Sequence, residues 1–137
     1  MGVLSGKSRV KLDSLRERIS EFQIAGRDFN RAVASALASG QLSAQLTIKV
    51  NRQLMEVERN WLHAEGIPGR PWFKHTLYAA RYTYAHLELP GLTEAVEAGK
   101  WDVAKEQARI LEDAVAKNTA LLRDARAGIE PPATPGR

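Results

Sequence analysis

Residues 66–92, GIPGRPWFKHTLYAARYTYAHLELPGL, interrupt a chain whose remaining apolar residues follow helical spacing. Pro68 and Pro71 lack backbone donors and hold φ near −65°, so no helix continues through them. Each also pushes the preceding residue toward extended geometry. Gly66 and Gly69 supply the turns such a segment needs. Trp72, Phe73, Tyr78, Tyr82 and Tyr84 bring large apolar area with polar tips. Long connections of this kind are usually functional or packed by their own side chains. The composition favours a rigid strap over a helical core above a binding loop. Trp72 and Phe73, following Pro71, are expected to anchor that strap on the core.

On either side of the strap the periodicity is helical. From about Arg9, the positions Leu12, Leu15, Ile19, Phe22, Gly26, Phe29, Val33 and Ala36 alternate spacings of three and four, a heptad seam that Gly40 ends. Ser14 and Glu17 could form a capping box. Gly26 on the seam suggests close approach of another helix. A second helix is expected from the Ser43 N-cap to about Ala64. Leu46, Val50, Leu54, Val57 and Trp61 share one face, and Ile48, Met55 and Leu62 another. Apolar on two sides, it should be more buried than the first, and the short link at 38–42 makes the two antiparallel. Pro90-Gly91 opens a short helix at 92–98, closed by Gly99. The last helix runs from about Trp101 to about Arg126, with Ala104, Ala108, Leu111, Val115 and Leu122 on its stripe and Gly128 as terminator. No strand-period run of useful length occurs. The expectation is an all-α four-helix bundle with a long aromatic, Pro-rich strap between helices 2 and 3. Residues 1–8 are expected as a flexible lead-in, 9–127 as one domain and 128–137 as a disordered tail.

With 137 residues the chain fits one domain that buries a core without staples. It has no cysteine, which excludes disulfides and thiolate metal sites. The net charge of +4 is interleaved with Asp and Glu rather than gathered in a stripe, so nucleic acid is not an expected partner. No run has the length of a membrane span, and the first residues lack the apolar run of a secretory signal. The compartment is therefore not assigned. His63, His75 and His86 make no HExxH pair and have no carboxylate at ligand spacing. Glu56 and Glu58, two apart on a helix, point different ways. Phosphate-binding loops and nucleophile elbows are absent. No catalytic or metal-ligating residues are expected, and the residues point to an interaction domain.

Residues 50–107 carry a more specific pattern: a helix with NRQLMEVER, then GIPGRPWFKHTLYA, a Tyr-containing loop, and LPGLTEAVE. This resembles the transferrin receptor-like dimerisation domain, the C-terminal helical domain of glutamate carboxypeptidase II-like zinc peptidases. The resemblance implies a helical bundle that homodimerises and helps wall an active site. It makes Pro68, Arg70, Pro71, Trp72, Phe73, His75, Tyr78, Pro90 and Gly91 the structural residues of the strap. It also implies a peptidase domain, upstream or in trans, that carries the zinc ligands and general base; none of those motifs is in this chain, so no cofactor is expected here. Tyr84 stands where the family offers a tyrosine to the substrate's terminal glutamate. Thr83 replaces the accompanying lysine, which removes the charge-assisted contact to a carboxylate.

Overall fold

A computed structural model describes residues 10–80 and 86–130. They form four helices and one small sheet: α1 (Asp13–Ala38), α2 (Ala44–Arg59), β1 (Tyr78–Ala80), β2 (His86–Glu88), α3 (Pro90–Glu97) and α4 (Trp101–Ile129). The axis of the molecule is α4, because its buried positions run from Ala104 to Ile129 and serve both halves of the core. In one half, Leu15, Trp61, Leu92 and Ala95 pack on Ala104, Ala108, Leu111 and Val115. In the other, Ala25, Phe29, Ala32, Ala36 and Val50 pack on Leu122, Ala125 and Ile129. Phe22 borders both halves and meets Trp61 edge to face, with ring centroids 6.0 Å apart.

Helix α1 runs in the same direction as α4: Leu15 lies with Ala104 and Ala108, and Asp28 reaches Arg126 at 3.3 Å. Helix α2 runs the opposite way. The Gln53 amide donates to Asp124 at 2.6 Å, and farther along α2 Asn60 donates to the fully buried Asn118 at 2.8 Å. Asn118 in turn donates to the Val57 carbonyl at 3.2 Å. Both helices lie on α4 but make no extensive contact with each other. Ser43 caps α2 as its sequence predicts, accepting from the Leu46 N–H at 3.1 Å.

Several expectations need correction. The capping box does not form: α1 starts after Leu12 with no side-chain cap. The half of the seam at Leu15, Phe22, Phe29 and Ala36 does face α4, but its buried complement is Ala25 and Ala32 rather than Ile19 and Gly26, with Val33 only partly buried against the same cluster. Two helix backbones approach closely across alanines, and Ile19 is left exposed. Helix α2 ends at Arg59 and is less buried than α1: Val50 is its one buried residue, and Ile48, Met55 and the following Leu62 are exposed. The chain is not wholly α, since β1 and β2 pair antiparallel with Ala79 opposite Leu87. Gly128 does not stop α4, which continues to Ile129; Glu130, preceding Pro131, is extended.

Candidate functional site: the strap and the uncovered helix faces

The strap is held by its own backbone. The His63 N–H donates to the Lys74 carbonyl at 2.8 Å, that of Ile67 to Phe73 at 3.0 Å and that of Thr76 to Trp61 at 2.9 Å. The Thr76 hydroxyl donates to the same Trp61 carbonyl, and Lys74 Nζ donates to the Pro71 carbonyl at 2.6 Å. Gly66 is required by geometry. Its φ is +71°, and a Cβ there would lie 2.5 Å from the Pro71 oxygen. The anchor is Ile67, only 2% exposed. Arg70 ties the strap to α3 by donating to Glu94 at 2.6 Å, and Pro90 at the first helical position starts that helix. Gly91 admits the buried Gln107: an added Cβ would stand 2.1 Å from its Oε1.

Trp72 does not anchor the strap. It is 73% exposed, and Phe73 is half-buried. The turn that seats Ile67 inward carries Trp72 outward, a choice apolarity alone does not reveal. Pro68 and Pro71 are exposed as well. His75 lies against the Tyr78 ring at a centroid distance of 4.1 Å, and its Nδ1 accepts from the Leu77 N–H at 3.3 Å. Its Nε2 is buried without a hydrogen-bond partner. Tyr84, with Tyr82 and Thr83, lies outside the described residues. Among the described residues, no three potential metal ligands of the His, Cys, Asp or Glu type come together.

Two polar hollows flank the core. One of about 140 Å³ is lined by His63, Thr76, Arg109 and Lys117; the other, of about 300 Å³, by Asp28, Arg31 and Arg126. On α4, Arg109 donates to Glu106 and Asp113, and its hydrogen bond holds the Glu106 carboxyl below the usual carboxylate range. A third hollow is different in kind. It is a cleft of about 490 Å³ between α1 and α2, and no ionisable residue lines it. Phe29, Val33, Leu37, Leu42, Val50 and Leu54 form most of its surface. Of the seam positions Phe29 and Val33 line it, whereas Gly26, expected to admit a close helix, has nothing within 4 Å of an added Cβ.

The family model of the transferrin receptor-like dimerisation domain matches residues 10–123. A curated relative, described as probable glutamate carboxypeptidase AMP1 of Arabidopsis thaliana, is 31% identical over 101 residues. The match covers 69% of this chain and 14% of that protein. No helix among the described residues is long and apolar enough to cross a membrane.

Proposed function

Since the chain belongs to the transferrin receptor-like dimerisation domain family, we propose that it acts as a homodimerisation domain. The observation that carries this reading is the apolar surface left after the core is built: Ile19, Ile24 and Leu37 on α1, Ile48 and Met55 on α2, and Leu62 just beyond it. Where such residues are contiguous they mark an interaction surface, and Leu37 continues into the apolar cleft between α1 and α2. On this reading α1, α2 and α3 around α4, with the strap across them, form a four-helix bundle that leaves one side for a partner. Light scattering behind size exclusion should give a dimer mass at micromolar concentration, retained in high salt because the faces are apolar rather than ionic. A monomer mass at every concentration up to the millimolar range would remove the proposal.

A second reading joins the first: the chain helps complete the substrate pocket of a peptidase domain outside it. The relative's description as a glutamate carboxypeptidase supports it, as does a rigid strap presenting Trp72 to the outside. Tyr84 is the residue proposed to reach that pocket. In this division of labour the isolated chain holds no zinc and cleaves no peptide. Metal analysis after dialysis and a peptidase panel test this; one tightly held zinc per chain, or turnover that survives repurification, would contradict it.

A further inference from the structure

We infer that the α1–α2 cleft is the dimer face, and that its occupant is α1 of a second copy, related by a twofold axis that crosses α1 near Val33. This rests on the homodimer reading and adds the surface that forms it. The cleft is the described cavity without an ionisable lining residue, in a chain in which 26% of residues are charged. The two other hollows are lined by Asp, Arg, Lys or His. Loss of charge at the centre of a patch is the compositional mark of an interface core. Apolar side chains of α1 and α2, two helices without extensive contact with each other, leave with Asn30, Thr47 and Asn51 a concave surface that water covers at a cost and a helix ridge covers well.

The occupant follows from symmetry. Leu37, 65% exposed, stands at the lip of the cleft, while Val33 and Phe29 lie one and two turns back along the same helix. In an antiparallel pairing of two α1 helices about Val33, each Leu37 comes opposite the partner's Phe29, so one patch supplies both ridge and hollow. That is the self-complementarity a twofold contact requires. The other exposed row, Ile48 and Met55 of α2 with Leu62 just beyond it, lies outside the cleft. Insertion of that row into the cleft of another copy would be head-to-tail, which makes rings or open chains rather than a closed pair.

The test compares matched substitutions of exposed residues by light scattering and sedimentation. Leu37→Glu should raise the dimer dissociation constant at least about tenfold, because it buries an unpaired carboxylate. Met55→Glu, at a similarly exposed site outside the cleft, should change it less than about twofold. The chain has no cysteine, so Ala34→Cys, beside the proposed axis, introduces a single thiol that should form a disulfide-linked dimer on mild oxidation. Circular dichroism of each variant confirms folding. A wild-type dimer that Leu37→Glu leaves intact, or that Met55→Glu dissociates instead, would overturn the assigned face while the homodimer reading stands. Failure of Ala34→Cys to cross-link within a measured dimer would also overturn it. A wild-type monomer would remove the homodimer reading and this inference together.

Discussion

Replacing Gly66 by alanine tests whether the strap is a constructed element. Gly66 has φ +71°, and its missing Cβ would lie 2.5 Å from the Pro71 oxygen, 2.7 Å from the carbonyl carbon and 2.8 Å from Cα. All three are backbone atoms, so no side chain can swing aside. The left-handed conformation costs an L-residue roughly 1–2 kcal/mol. Overpacking of this severity adds about 1–3 kcal/mol. Reduced freedom of the unfolded chain offsets about 0.4–1 kcal/mol. The net is on the order of 1.5–4 kcal/mol, and for a chain of this size each kcal/mol moves Tm by roughly 3–5 °C. Gly69→Ala is the control: φ is +79° in the same strap, but nothing lies within 4 Å of the added Cβ. It carries the conformational term alone, about 0–1.5 kcal/mol after the same offset. Thermal melts followed at the helical circular dichroism band should therefore show Gly66→Ala lower by about 5–20 °C and Gly69→Ala by about 0–8 °C, with Gly66→Ala the lower of the two. Equal melting points for the two variants would refute the claim that the Gly66–Pro71 approach sets the strap's shape.

Three other outcomes follow from packing. Trp72→Ala should change stability by less than about 0.5 kcal/mol, whereas Trp61→Ala, in the core beside Phe22, should cost about 3–5 kcal/mol; chemical denaturation of both variants checks the contrast. Asn118→Ala leaves the Asn60 amide and Val57 carbonyl without their partner and should cost about 1–3 kcal/mol by the same measurement. Arg70→Ala breaks a partly exposed ion pair to Glu94 and should cost under about 1 kcal/mol, with the difference shrinking as salt is raised.

Much of the helical layout can be read from local chemistry. Ser43 caps α2, and Gly40 and Gly99 adopt the positive φ expected of residues just past α1 and α3. What escaped the sequence depended on neighbours far away in the chain. Ala25 and Ala32 look weaker than Ile19 and Val33 as core residues, yet they are buried in one cluster with Leu122, Ala125 and Ile129 of α4. Strands of three residues, Tyr78–Ala80 and His86–Glu88, are too short to show an alternating pattern. The strap's residues were identifiable as a group, but whether Ile67 or Trp72 would point inward is decided by the turn at Gly66. Two apolar faces on α2 signalled burial; the structure covers one.

That leaves a question of choice, which the Asn60–Asn118–Val57 link answers. A helix apolar on two sides can dock on its neighbour in two rotational settings of comparable hydrophobic gain. With Val50, Leu54 and Val57 inward, the buried amide of Asn118 satisfies both of its bonds. With Ile48 and Met55 inward, the same amide would sit in the core with neither partner in reach. A single polar side chain on α4 therefore acts as a key that admits one setting of α2 and rejects the other, as a lone buried polar residue fixes register in a coiled coil. The side of the molecule on which the outer row of α2 is displayed is thereby decided by a residue that never reaches the surface.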